Sequence, residues 1–278
     1  MPRVLGIIAG SGPLPAQVAR AAQAAGRRVF IIGLEGHAEA AHLAPFPHVF
    51  LRFGAAVRII ATLKEQGCED LVLVGPVQRP SFRSLRPDAE GLKLLARIGR
   101  AAFMGDDGLL RAVIRVLGEE GFRVIGAHEV LGGLIGRAGL LTRTAPDEQA
   151  RADIERGISV CRALGAADVG QGCVVQTGIV LAVEAVEGTD AMLARCGALA
   201  WPGLGGVLVK LVKPGQERRA DLPTIGERTV RGALAAGLRG IAFEGGGTLV
   251  IEQERTVAAA DAAGFFILGL DARALGGH

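Results

Sequence analysis

Residues Arg3-Val4-Leu5-Gly6-Ile7-Ile8-Ala9 are apolar almost without interruption and end at Gly10-Ser11-Gly12-Pro13. Apolar positions then recur at helical spacing over 15–25, and Gly26 supplies a C-terminal cap. The alternation repeats: Val29-Phe30-Ile31-Ile32 and Leu71-Val72-Leu73-Val74 read as strands, with a helix over 55–66 closed by Gly67. Helices over 91–103 and 108–120 follow, then a strand at Phe122-Arg123-Val124-Ile125. A strand apolar at every position has to be covered on both faces, as in a parallel sheet whose crossovers are helices. The first ~125 residues are therefore predicted to form a Rossmann-like open parallel sheet.

Beyond that block Gly132, Gly133, Gly136 and Gly139 fall close together, as in a linker. The pattern predicts an N-terminal domain over 1–131, a glycine-rich linker over 132–145 and a C-terminal mixed α/β domain over 146–278. Pro146 opens a helix running to 164, proline being tolerated in a first turn. Strands follow over 173–176, 179–184, 207–212, 249–251 and 265–270, and helices over 190–195, 225–236 and 254–263. Periodicity alone gives this half no topology, and no internal repeat is present.

Composition narrows the function. Ten Phe, one Trp and no Tyr leave the core to Leu, Val, Ile and Ala. Thirty-one basic against 28 acidic residues give a net charge of only +3, without the clustered basic patch or stacking aromatics of a nucleic-acid binder. Four widely spaced cysteines form no Cys-x-x-Cys pair, which argues against zinc and for reduced thiols in a cytoplasmic protein. No apolar run reaches the ~18–20 residues of a membrane span. The apolar start is broken at once by Gly-Ser-Gly-Pro, so it reads as a first strand and not a signal peptide. A mean hydropathy of +0.37 without a span points to apolar surface that holds something greasy.

Six segments could carry chemistry. Gly10, Ser11 and Gly12 join a strand to a helix, where backbone amides can approach a phosphate. Pro15 stands where a dinucleotide fingerprint needs its third glycine, so the same residues also fit a plain tight turn. Gln78 and Arg79 follow a strand end, the usual ligand edge of an open sheet, and Arg79 can fork onto phosphate. Asp106 and Asp107 precede a helix and either cap it or offer oxygens to a divalent ion. His128 and Glu129, after another strand, suit ligand binding or proton transfer. Gln171 lies in a glycine-flanked turn, and Glu184 and Glu187 leave a strand just before Gly188, Thr189 and Asp190. Those carboxylates are candidate metal or sugar ligands, and Thr189 or Asp190 is either a ligand contact or a helix cap. Finally Lys213 precedes Asp221-Leu222-Pro223-Thr224-Ile225-Gly226. An aspartate fixed by a proline turn beside a helix start is a preorganised base or metal ligand, and Lys213 can neutralise phosphate charge.

The order and spacing of these blocks resemble the LpxI-type UDP-2,3-diacylglucosamine pyrophosphatases. The resemblance runs from Ile8-Ala9-Gly10-Ser11-Gly12-Pro13-Leu14-Pro15 through Gly105-Asp106-Asp107, Gly126-Ala127-His128-Glu129, 168–172, Glu187-Gly188-Thr189-Asp190 and the segment 221–226. It implies magnesium-dependent hydrolysis of UDP-2,3-diacylglucosamine to UMP and 2,3-diacylglucosamine 1-phosphate (lipid X), a lipid A precursor. It also implies a Rossmann-like N-terminal domain, a C-terminal domain of the family's own type and substrate bound in a cleft between them. The essential aspartate falls on Asp221. With the reading of the residues, this assigns catalysis to Asp221 and Lys213 and the metal, Mg2+, to Asp221, Glu184 and Glu187. Substrate contacts are expected at Gly10, Ser11, Gly12, Gln78, Arg79, His128, Gln171, Thr189, Asp190 and Thr224. A homodimer is expected on base rates, and a lipid substrate implies peripheral contact with the inner membrane. The alternatives are an NAD-dependent oxidoreductase, raised by the Gly-x-Gly turn, and a non-enzymatic lipid or nucleotide-sugar carrier.

Overall fold

The computed structural model describes residues 3–77, 105–271 and 275, with 105–107 described by backbone alone. Gln78 and Arg79 and the helix expected over 91–103 lie outside the described residues. The chain forms two compact units: Met1–Gly132 with Glu217–Asp221, and Gly133–Gln216 with Leu222–His278.

The first unit alternates strand and helix. Its elements are β1 (Val4–Ala9), α1 (Leu14–Ala24), β2 (Val29–Leu34), α2 (Ala40–Leu43), β3 (His48–Leu51), α3 (Ala56–Glu65), β4 (Cys68–Val74), α4 (Gly105–Glu119), β5 (Arg123–Val124) and α5 (Ala127–Leu131). The strands make a parallel five-stranded sheet in the order β3-β2-β1-β4-β5. Side chains alternate across it. Leu5, Ile7, Ile31, Val72 and Val74 pack on Val18, Ala19 and Ala22 of α1. Ile32, Leu34 and Leu71 pack on Ile59 and Leu63 of α3 and Ile114 and Leu117 of α4. Covering both faces requires strands with no polar side, which is why they read as continuous apolar runs. The chain steps outward from β1 to β3 and then returns to β4 on the other side of β1. The switch point of the strand order therefore lies between β1 and β4, whose carboxyl ends form the edge where open α/β sheets take their ligands.

At the opposite edge Asp70 is 1% exposed inside β4. It accepts from Arg123 Nε at 2.7 Å and Nη2 at 2.9 Å, and from Arg27 Nη2 at 2.7 Å. These guanidinium groups, Arg123 foremost and Arg27 after it, hold its carboxyl below the usual range against the opposing effect of burial.

The second unit comprises β6 (Gly139–Leu140), α6 (Glu148–Ala166), β7 (Gly172–Gln176), β8 (Ile179–Val183), α7 (Gly188–Cys196), β9 (Val207–Lys210), β10 (Thr224–Ile225), α8 (Glu227–Ala235), β11 (Gly240–Glu244), β12 (Leu249–Val250), α9 (Gln253–Ala262) and β13 (Phe266–Leu270). Its six-stranded sheet runs β6-β13-β11-β9-β7-β8. The three central strands β13, β11 and β9 are parallel, and β6, β7 and β8 join antiparallel. A separate parallel pair joins β10 to β12. On one face Leu208, Ile241, Phe243 and Ile267 pack on Met192, Leu193, Val230 and Ala233 of α7 and α8. On the other, Val207, Val209, Ala242 and Phe266 pack on Ala150, Ile154 and Cys161 of α6. The Asp147 carboxylate caps α6 by accepting from the Ala150 N–H at 2.8 Å.

Three expectations need correction. Strand β11, at the middle of the sheet, has no counterpart in the sequence reading, because only Ile241-Ala242-Phe243 separate Gly240 from Glu244. The helix expected to begin at 225 begins at Glu227, since Thr224 and Ile225 pair with Leu249 and Val250. Helix α4 begins at Gly105, so Asp106 and Asp107 lie in its first turn. The four cysteines are free and buried; Cys161 Sγ and Cys173 Sγ sit 3.5 Å apart. Among the described residues no helix is long and apolar enough to cross a membrane.

Candidate functional site

Parallel strands β9 and β11 end side by side in the second unit, and the chemistry gathers at the end of β9. Lys210 closes that strand and is 3% exposed. Burying an ammonium group is costly unless hydrogen bonds surround it. Its Nζ donates to Thr189 Oγ1 at 2.7 Å and to the Thr224 carbonyl oxygen at 3.4 Å. Thr189, in the first turn of α7, donates its hydroxyl to Glu184 Oε1 at 2.7 Å. Glu184 follows β8, is 6% exposed, and donates its backbone N–H to the Gly172 carbonyl at 2.8 Å. A lysine, a threonine hydroxyl and a carboxylate thus form one directed chain in the interior.

The far end of that chain is unpartnered among the described residues. Glu184 Oε2 is buried and has no hydrogen-bond partner among the described residues. A buried carboxylate oxygen with no donor costs about 1–3 kcal/mol or more, which makes it a candidate point of binding. Gly172 clears its side: a Cβ there would lie 2.6 Å from Oε2. Gly170 clears the backbone, since a Cβ there would lie 2.0 Å from the Glu184 carbonyl oxygen.

The neighbouring turns supply polar groups. Gln171 accepts through its carbonyl from Leu211 N at 3.0 Å, and its Oε1 accepts from Gln216 Nε2 at 3.1 Å. Lys213 Nζ meets Asp168 Oδ1 at 2.8 Å. Asp168 adopts a left-handed φ of 51°, an uncommon conformation for a residue with a Cβ. Glu244, ending β11, accepts from Val212 N at 3.1 Å.

The other expected site residues fall as follows. Glu187 Oε1 meets Arg195 Nη2 at 2.7 Å, and that guanidinium holds the Glu187 carboxyl below its usual range. Asp190 pairs with Arg228 on the surface at 2.7 Å. Thr224 turns its hydroxyl to the Leu222 carbonyl at 3.2 Å and offers only its backbone oxygen to Lys210. Asp221 is half-buried and ends the segment Glu217–Asp221, which clusters with the first unit; its N–H donates to the Glu217 carbonyl at 3.0 Å. The structure therefore brings Glu184, Thr189 and Thr224 together through Lys210, which sequence reasoning missed. Among the described residues no three His, Cys, Asp or Glu side chains gather as a ready metal cage.

In the first unit the loops after β1 and β4 touch backbone to backbone. A Cβ on Gly10 would lie 2.3 Å from the Gly75 carbonyl oxygen, and Gly75 has a φ of +94°. Gly10 N donates to Val74 O at 2.9 Å, Ser11 N and Oγ donate to Pro76 O at 2.9 and 2.8 Å, and Gly12 N donates to Glu39 Oε1 at 3.3 Å. All three amides are thus engaged with protein oxygens. His128 packs its ring over Gly126, where a Cβ would lie 2.2 Å from Cε1, and its Nδ1 is buried without a hydrogen-bond partner among the described residues. Glu129 accepts from Gly126 N at 2.7 Å.

The chain matches two family models: the LpxI N-terminal domain over residues 4–134 and the LpxI C-terminal domain over 137–268. A protein of Caulobacter vibrioides named UDP-2,3-diacylglucosamine pyrophosphatase LpxI is 44% identical over 275 residues, covering 97% of this chain and 98% of its own. Among solved structures, glycinamide-RNase-transformylase T from Mycobacterium tuberculosis is 15% identical with a TM-score of 0.25, over 66% of this chain and 44% of that one. A likeness that low carries no argument about fold or function.

Proposed function

The chain belongs to the LpxI family, and from that premise we propose that it hydrolyses the pyrophosphate of UDP-2,3-diacylglucosamine, releasing UMP and lipid X. The observation that carries this reading is the full-length 44% identity to a protein bearing that pyrophosphatase name, joined to an open buried carboxylate at Glu184. The five-stranded parallel sheet, covered on both faces, supports the Rossmann-like reading of the first unit.

One observation supports a magnesium ion. Mg2+ is commonly held by one or two carboxylates, the remaining positions being water and substrate phosphate, and needs no full protein cage. Glu184 offers an unpartnered oxygen of that kind. Asp221 and Glu187 are the other proposed ligands; Glu187 Oε1 lies on Arg195 Nη2. The metal, when bound, would withdraw charge from the pyrophosphate and orient the phosphorus to be attacked.

The chain's own residues do the rest. Asp221 orients the attacking water and accepts its proton. Lys213, already an ion-pair partner of Asp168, counters charge on the phosphate oxygens, and Arg79 is proposed for a phosphate contact. Gln171 and Thr224 are proposed contacts for the sugar and phosphate, and Gly10, Ser11, Gly12, Gln78 and His128 are proposed nucleotide contacts. Thr189 positions Glu184, and Asp190 lies one residue further along the same helix.

Peripheral contact with the inner membrane belongs to the proposal as well. Trp201, Leu199 and Leu204 are exposed in one short loop, which the buried Gln176 amide fixes through Trp201 and Leu204. Apolar side chains held out in this way support contact with a lipid surface. The test of function is incubation of the purified protein with UDP-2,3-diacylglucosamine, with and without Mg2+, followed by assay of UMP and lipid X. Release of both only with the metal is expected. Tight substrate binding with no release would replace this reading with a carrier.

A further inference from the structure

Lys210 is the most deeply buried ionised group of the second unit's site, and the mechanism above gives it no contact with substrate. The ammonium occupies a lone pair of Thr189 Oγ1 at 2.7 Å. An ammonium group can only donate, so the threonine must accept from it and turn its own proton toward Glu184 Oε1, 2.7 Å away. The direction of the chain is fixed from its lysine end. Oε1 is thereby committed, and Oε2 is the one oxygen left open. On the Oε2 side residue 172 has no side chain, and any Cβ there would lie 2.6 Å from the oxygen.

These observations converge on one atom. A network that served only to join α7 to the sheet would gain from satisfying both carboxylate oxygens. This one satisfies the first through two residues and leaves the second buried against Gly172 without a hydrogen-bond partner among the described residues. We propose that Lys210 and Thr189 are positioning residues whose hydrogen-bond chain holds Glu184 with Oε2 presented to a divalent cation. The proposal rests on the hydrolase reading above and adds to it the residues that orient the ligand. Groups that orient a metal ligand from behind typically change metal affinity by roughly ten- to a hundredfold when removed.

The test is Thr189→Val, which keeps the side-chain shape and removes the hydroxyl, compared with Thr189→Ser, which restores it. Binding of Mn2+ is read directly by electron paramagnetic resonance, without substrate, alongside the metal concentration that half-activates UMP release and the thermal melting curve. Thr189→Val is expected to bind Mn2+ at least about tenfold more weakly. Its half-activating concentration should rise in step, and Thr189→Ser should return both toward wild type. Lys210→Met removes the donor that fixes the chain and should weaken Mn2+ binding in the same direction. Folded Thr189→Val with wild-type Mn2+ affinity would overturn the proposal while leaving the hydrolase reading intact, as would equal weakening in Thr189→Ser. A wild-type protein that releases no UMP with any metal overturns the hydrolase reading itself, and this inference with it.

Discussion

Replacing Gly172 with alanine places a methyl group against the one carboxylate oxygen the site leaves open. The added Cβ would sit 2.6 Å from Glu184 Oε2, whereas ordinary contact begins at 3.4 Å, so about 0.8 Å must be recovered. Gly172 pairs with Lys210 across β7 and β9 and cannot retreat without breaking that pairing. Glu184 has to move instead, and movement costs it the Thr189 hydrogen bond. Overpacking of this kind costs about 1–3 kcal/mol. In a chain of this size that lowers the melting temperature by roughly 2–10 °C. The effect on turnover should be larger in proportion, because a displacement near 1 Å in a reacting constellation costs about a hundredfold. The assay is UMP release at saturating metal and substrate, paired with differential scanning calorimetry on the same preparation. A folded Gly172→Ala protein with wild-type turnover would show that the open oxygen of Glu184 has no part in the reaction.

Asp70 tests the other edge of the first unit. Its folded pKa is held down by Arg123 and Arg27, so its contribution is present above the ordinary carboxylate value and is lost as pH falls through the folded value. Asp70→Asn should therefore destabilise by about 2–3 kcal/mol at neutral pH, less than a fully enclosed pair because the arginines reach solvent, and the deficit should shrink below about pH 4 in urea melts. A deficit independent of pH would refute the assignment. The four cysteines are buried and free, with burial pushing Cys68 up to about 11. A thiol-reactive disulfide reagent should therefore label essentially none of them in the native protein and all four in denaturant; rapid native labelling would contradict the packing.

What could be read from the sequence follows from what each residue borders. Most of the first sheet was legible because strands covered on both faces leave continuous apolar runs, although the four-residue β3 was not, and the Gly10 and Gly75 turns announce themselves where backbone must meet backbone. Glu184 and Thr189 were legible because they leave an apolar strand at a glycine turn. Lys210 was not. A single charge inside the strand expected over 207–212 names no partner of its own, and β7 and β11 on either side bury it. Asp70 failed in the same way: beside Glu69 it reads as surface, yet β4 extends back to Cys68 and draws it inside. Strand β11 is central, but three apolar residues between glycine and glutamate are too short a signal to stand alone. In each case the missing information was a long-range neighbour.

The most direct test of the central claim sets wild type beside Asp221→Ala in one assay of UMP release from UDP-2,3-diacylglucosamine, with Mg2+ and with chelator. The account predicts metal-dependent release by the wild type and none by the variant, with melting curves that nearly coincide because Asp221 is half-buried at the end of a short segment. Near-normal release by folded Asp221→Ala would contradict it.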